Sequence, residues 1–221
     1  MTEKHLFLFG GGAPFNESLG EKFANLSSNG SNKVAIMFIE QDGWKEYMPK
    51  YTDLLERYGV MNFEYLKLTS SPSIELKEQL RSSTGVIICG GDTELYREYI
   101  VETELGDLLK ELYLQGIPIA GFSAGALISP NVCVISPVDN RKNEQLFLKG
   151  LGLVNNFVIC AHFSKWNEEK NLLLALSRTN LSIGYGIDDG SGIYLRNELL
   201  SQSAGQVYFY HANRSNKFFT D

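Results

Sequence analysis

The chain has 221 residues, 43% of them hydrophobic and 21% charged, which excludes a disordered, collagen-like or disulfide-scaffold protein and suffices for one core spanning residues 1–221. Its 20 Lys and Arg stand against 26 Asp and Glu, a formal charge of −6, and no basic run offers the face that a nucleic-acid backbone needs. No apolar run approaches the ~18 residues that span a bilayer, and residues 6–9 are too short for a signal-peptide core, so no membrane partner is expected.

In chain order, short apolar runs alternate with longer amphipathic ones. His5–Phe9 predicts a strand, the spacing over residues 16–26 a helix, and residues 34–38 a second strand. Apolar and aromatic residues recur at three and four positions over residues 44–57, predicting one helix closed by Gly59 as a C-cap glycine. Residues 62–66 follow as a strand, Ile74–Arg81 as a helix, and 85–89 as a β-branched strand buried on both faces. A helical stretch over 93–114 leads to a short strand at 117–120. Beyond Val132 the pattern loosens, with strands at Phe157–Cys160, Ile183–Ile187, 193–195 and 207–210 and a helix near 167–176. Such alternation implies a three-layer α/β/α sandwich around a mostly parallel sheet.

Ligands of such sheets bind beyond the carboxyl ends of the strands, where three loops are glycine-rich. Gly121-Phe122-Ser123-Ala124-Gly125 matches the G-x-S-x-G elbow, a sharp strand-to-helix turn that lifts a serine hydroxyl clear of the sheet. Ser123 is then the candidate nucleophile, and the Ala124 N–H faces a developing oxyanion; the alternative is a tight structural turn. A serine needs a base. His5 precedes the first strand, at the wrong edge, and His211 ends an aromatic alternation, whereas His162 follows the apolar run 157–161 at the functional edge. The carboxylate that orients it stays open on the residues alone. Asp139 and Glu144 lie between Ser123 and His162 in the chain, and Asp188 and Asp189 close another strand.

Gly90 and Gly91 end a strand and open a helix, so their N–H groups form an anion-binding nest, with Gly91 as second oxyanion donor and Asp92 or Thr93 as an N-cap. Gly10-Gly11-Gly12 fails the dinucleotide fingerprint, because the third glycine would fall at Phe15 and Pro14 intrudes; no nucleotide cofactor is expected. Cys160 and His162 have no second pair of ligands, so no metal is expected. Cys89, Cys133 and Cys160 read as buried thiols of a reducing compartment, hence a cytoplasmic location.

The order Cys89-Gly90-Gly91-Asp92-Thr93, then Ile119-Ala120-Gly121-Phe122-Ser123-Ala124-Gly125-Ala126, then Ala161-His162-Phe163 resembles the peptidase E (aspartyl dipeptidase) and cyanophycinase family of serine peptidases. Gly150-Leu151-Gly152-Leu153 is similar to the cyanophycinase branch, and residues 44–59 to the peptidase E branch. The resemblance implies a class I glutamine-amidotransferase-like α/β sandwich with serine in place of that fold's cysteine. It also implies a Ser–His–carboxylate triad of Ser123, His162 and Asp139, with Gly91 and Ala124 as oxyanion donors. Short peptides such as dipeptides would be the substrates, no metal or organic cofactor would be needed, and a homodimer is plausible for the fold. The segment 163–170 departs from the family in holding no arginine to select an N-terminal aspartate. Lys165 or Lys170 would be a point-charge substitute without a guanidinium's bidentate grip, and Glu168 and Glu169 would repel an acidic substrate if they faced the pocket. Two rival readings are an α/β-hydrolase esterase, which would promote His211, and a non-catalytic member of the fold that binds a peptide without turnover.

Overall fold

The computed structural model describes residues 2–28, 32–212 and 214–220, the last segment by its backbone alone. The chain runs β1 (His5–Phe9), α1 (Glu17–Ser27), β2 (Lys33–Phe38), α2 (Trp44–Tyr47), α3 (Pro49–Arg57), β3 (Asn62–Lys67), α4 (Ile74–Arg81), β4 (Gly85–Ile88), α5 (Thr93–Tyr96), α6 (Glu104–Leu114), β5 (Ile119–Phe122) and α7 (Ala124–Leu127). It continues through β6 (Val132–Ile135), β7 (Leu146–Lys149), β8 (Phe157–Cys160), α8 (Glu169–Thr179), β9 (Ile183–Ile187), β10 (Gly192–Arg196), β11 (Leu199–Ala204), β12 (Val207–His211) and β13 (Arg214–Thr220).

Seven strands form one sheet in the order β11-β10-β1-β5-β4-β2-β3. Its five strands β1, β5, β4, β2 and β3 are parallel, and β10 and β11 add an antiparallel edge. The strands β1, β4 and β5 are buried along their whole length, as doubly covered parallel strands are. The α/β fold and its mostly parallel sheet are therefore as the sequence predicts.

Four of the later strands form a sheet of their own. β8 and β9 run parallel, joined by the crossover helix α8, and β12 and β13 extend them antiparallel into a separate four-stranded sheet, β13-β12-β9-β8. Because β8 and β9 are parallel, both end at one edge, delivering His162 and the Asp188-Asp189 pair side by side. At that edge the His162 N–H donates to the Gly10 carbonyl (2.9 Å) at the end of β1.

Three expected elements differ in detail. The helix expected over 44–57 divides into α2 and α3, since Pro49 has no N–H to give the preceding turn and instead takes the first position of a new helix. The stretch 93–114 breaks at Thr103, whose hydroxyl caps α6 by accepting from the Leu105 N–H, after a wide turn over Arg97–Val101. The strand expected at 117–120 lies two residues later, as Ile119–Phe122, and so runs straight into Ser123. Among the described residues, no helix is long and apolar enough to cross a membrane, and all three cysteines are buried free thiols.

Candidate active site

The serine is presented by a strained turn between β5 and α7. Ser123 has φ 46° and ψ −106°, a positive φ that costs about 1–3 kcal/mol for a side-chain-bearing residue. It is held there by its N–H donating to the Phe9 carbonyl (3.0 Å) and by its own carbonyl accepting from the Leu127 N–H (2.9 Å). Both motif glycines are required by space. A Cβ on Gly121 would lie 2.5 Å from the Gly125 carbonyl oxygen, and one on Gly125 would lie 2.3 Å from that of Ile88. The turn can thus close against β4 only with hydrogen at both positions.

On the facing side, β8 runs into Ala161 and then His162, itself at φ 49°. The Trp166 N–H donates to the His162 carbonyl (2.9 Å), and the Trp166 ring lies 4.2 Å from the imidazole between centroids. Nε2 of His162 stands 2.9 Å from Ser123 Oγ, and Nδ1 is hydrogen-bonded to Asp189 Oδ1. With Nδ1–H donated to a carboxylate, the Nε2 lone pair is left to accept the serine proton, the tautomer a general base needs.

The two adjacent aspartates divide the work. Asp188 accepts from the Ser164 N–H (2.6 Å) and hydroxyl (2.7 Å), fixing the turn after His162. Asp189 holds the imidazole, and Lys165 Nζ approaches its other oxygen at 3.4 Å. Gly10 and Gly11 explain themselves here. A Cβ on Gly10 would lie 2.0 Å from the Ile187 carbonyl oxygen, and one on Gly11 would lie 2.7 Å from Asp189 Oδ1. The glycine run lets the β1 and β9 exits approach closely, bringing Asp189 within reach of His162.

The expectation that Asp139 meets His162 is corrected by this geometry. Asp139 closes the short turn Pro137–Asp139, and its Oδ2 accepts from the Thr93 hydroxyl at 2.7 Å. Burial pushes its carboxyl up to about 6, against the opposing pull of that hydrogen bond and of His162. Asp139, the carboxylate implied by the family resemblance, lies in the turn between Ser123 and His162, whereas the strand-end Asp189 beyond β9 is the one bonded to the imidazole. Glu144 is exposed. His5 is bonded through Nδ1 to Tyr194 OH (2.8 Å), and His211 pairs with Ile183 at the start of β9, the edge opposite Asp189, which removes the arrangement that would use it as base. Glu168 does not face a substrate: it is 1% exposed, and it accepts from the Ser136 hydroxyl (2.5 Å) and the Asn171 amide (3.1 Å).

Between the two sides lies a cleft of about 470 Å³ whose lining includes Gly90, Gly91, Ser123, Asp139, His162 and Trp166. Lys165 and Lys170 do not line it. The Gly90 peptide is clamped at both ends by buried tyrosines: its N–H donates to Tyr51 OH (3.4 Å), and its carbonyl accepts from Tyr96 OH (3.2 Å). A Cβ on Gly90 would sit 3.3 Å from Ser123 Cβ, and one on Gly91 would strike the Tyr96 ring at 2.9 Å. These tyrosines and Trp166 have no motif signature; only their aromatic character beside glycine loops marks them. Among the described residues, no group of three or more His, Cys, Asp or Glu is arranged to hold a metal ion.

Comparison with known proteins bears on the family and the fold. The peptidase YgaJ of Bacillus subtilis, itself uncharacterized, is 24% identical over 206 residues, covering 90% of this chain and 86% of its own. The cyanophycinase of Synechococcus elongatus is 27% identical over 146 residues, 63% of this chain and 45% of the cyanophycinase, so the shared region is under half of that longer protein. A crystal structure of a peptidase from an acI-B1 actinobacterium superposes with a TM-score of 0.74 at 17% identity, over 97% of this chain and 93% of that one. A candidate peptidase E protein from Listeria monocytogenes gives 0.67 at 20%, over 92% and 98%. At such identities these two structures establish the fold. Residues 6–202, which carry the elbow, the histidine and Asp189, match the sequence profile of Peptidase family S51, and the chain belongs to that family of peptidases.

Proposed function

We propose that this chain is a serine peptidase that hydrolyses short peptides, with Ser123 as nucleophile, His162 as general base and acid, and Asp189 as the orienting carboxylate. The observation that carries the reading is the continuous hydrogen-bonded line from Ser123 Oγ through both nitrogens of His162 to Asp189. Ser123 Oγ attacks the scissile carbonyl carbon while Nε2 takes its proton. The imidazolium then protonates the leaving amine, and water admitted to the acyl-enzyme repeats the sequence in reverse. Asp189 stabilises the transient imidazolium and keeps Nε2 aimed at the serine. The N–H groups of Gly91 and Ala124 are the donors proposed for the tetrahedral oxyanion, each contributing about 3 kcal/mol to lowering the barrier. A cleft of about 470 Å³ suits a few side chains rather than a folded loop, which favours dipeptides and similarly short substrates.

The test is amine release from a panel of dipeptides and tripeptides, with Ser123→Ala measured beside the wild type and a fluorophosphonate used to label the serine. Turnover that vanishes in Ser123→Ala, with labelling confined to Ser123, is the expected result. Binding of peptides without turnover, and an unlabelled Ser123, would leave the chain a peptide-binding member of the fold.

A further inference from the structure

The cleft that holds Ser123 has a composition that the hydrolytic residues do not account for. One wall is aromatic and apolar: Phe38, Trp44, Tyr47 and Met48, with the Phe38 and Trp44 rings 4.7 Å apart and Tyr47 edge-on to buried Tyr51 at 5.9 Å. The formal charges facing the cleft among the described residues are carboxylates, Asp42 and Asp139, with His162 as the one group able to become cationic; no Lys or Arg lines it. The nearby lysines stand outside the lining. Lys45 and Lys50 lie over the Trp44 and Tyr47 rings, and Lys165 is drawn to Asp189.

An aspartyl side chain entering here would bring a further negative charge toward Asp42 and Asp139, with no guanidinium or ammonium in the lining itself to receive it, and like-charge placement of this kind is unfavourable. An aromatic or large aliphatic side chain would instead exchange water for ring faces. Asp139 has a different complement. It is largely buried with a single neutral donor, the Thr93 hydroxyl, and Thr93 lies two residues past Gly91 on the loop beside Ser123. A carboxylate in that state gains most from a cation that donates hydrogen bonds. In a short peptide bound for attack, the α-ammonium group lies only two bonds from the reacting carbonyl carbon.

We propose that the cleft selects short peptides whose acyl-side residue carries an aromatic or large apolar side chain beside a free α-ammonium group, the side chain lying on the wall of Phe38, Trp44, Tyr47 and Met48 and the ammonium on Asp139. This substrate class rests on the serine peptidase reading, and binding to an inactive variant tests it separately.

Trp44 and Trp166 both line the cleft and are the only two tryptophans of the chain, so intrinsic fluorescence of Ser123→Ala reports occupancy without turnover. Titration with Phe-Ala, Leu-Ala, Asp-Ala, Lys-Ala and N-acetyl-Phe-Ala is expected to rank Phe-Ala and Leu-Ala at least about ten-fold tighter than Asp-Ala. N-acetylation is expected to weaken Phe-Ala by about ten-fold or more, and that penalty to disappear in the Ser123→Ala, Asp139→Asn double variant. Adding Tyr47→Ala should narrow the gap between Phe-Ala and Asp-Ala; the acetylation comparison, made on one protein, stands whether or not these variants fold well. Equal or tighter binding of Asp-Ala or Lys-Ala, or indifference to acetylation, overturns the proposal. Fluorophosphonate labelling of wild-type Ser123 separates the two ideas. Labelling with the wrong preference sinks the substrate class alone, whereas the expected preference with no labelling or turnover sinks the peptidase reading alone.

Discussion

The two banks of the cleft are built by different means. Ser123 stands on the parallel sheet, in a turn whose geometry is enforced by neighbours within a few residues and by the β4 backbone: Gly121 and Gly125 leave no room for a side chain, and the strained Ser123 torsions are pinned by Phe9 and Leu127. His162 and Asp189 stand on the smaller sheet and depend on distant contacts. They meet because β8 and β9 pair in parallel and because Gly10 and Gly11 let the end of β1 slide against Ile187 and Asp189. The cores differ too. The main sheet's buried apolar residues lie wholly within one large cluster, whereas the smaller sheet divides its faces, giving Phe157, Ile159, Tyr185 and Ile187 to that cluster and Val158, Cys160 and Tyr210 to a small satellite with Leu172, Ala175 and Leu176. The proposed nucleophile, held locally, and the proposed base, held by tertiary packing, should therefore fail in different ways when disturbed.

Substitutions can separate these modes. Ser123→Ala and His162→Ala should each lower kcat by about 10⁶-fold, and the double variant by no more, because the two side chains act as one unit. Additive losses in steady-state kinetics would show that they act independently. Asp189→Asn should cost about 10⁴-fold in kcat, since the amide leaves the geometry but loses the charge that stabilises the imidazolium and its tautomer. Asp139→Asn should leave the reaction of Ser123 with a fluorophosphonate far less affected, and the reverse ranking would return the orienting role to Asp139.

Gly10→Ala tests the distant side of the comparison. Its Cβ would meet the Ile187 carbonyl oxygen at 2.0 Å, so it should destabilise the fold by about 1–3 kcal/mol and lower kcat as the β9 exit is pushed away. A thermal melt lowered by about 2–4 °C per kcal/mol is the readout for a chain of this size. The smallest effect concerns Asp139. Its carboxyl ionises at about 6 in the folded protein against a reference of 3.8. Between those values the native state binds more protons than the unfolded one, so this group's contribution to stability falls as pH rises through that window. Asp139→Asn should accordingly gain up to about 2 kcal/mol at pH 7, shrinking toward zero near pH 4. Denaturant melts at the two pH values check this, and an equal effect at both would rule out titration as its cause.

Much of the first half of the chain was legible in the sequence. Doubly buried strands such as β4 carry β-branched runs, α4 forms over the residues expected for it, and Gly59 sits at φ 91° after α3. What escaped the pattern was short or interrupted: the hairpin of β6 and β7, the edge strand β11, and the helix breaks at Pro49 and Thr103. Short edge elements bury only part of their side chains, so their hydrophobic alternation is weak. β13 also lay outside the elements read from the sequence.

At the site, Ser123 and His162 could be chosen from residues alone, because a glycine-flanked turn and a strand-end histidine are local facts of spacing and steric room. The carboxylate could not. Asp139, Glu144, Asp188 and Asp189 all occupy turns, and which one meets Nδ1 depends on the parallel pairing of two strands 26 residues apart at their starts, Phe157 and Ile183, and on the packing of a third strand's glycines against them. The same holds for the cleft as a whole, which sets the wall of Phe38, Trp44, Tyr47 and Met48 together with Trp166 of the loop beyond β8. Local sequence encodes conformation through torsional preference and periodicity, whereas proximity between distant segments arises only when burying their apolar faces brings the segments together.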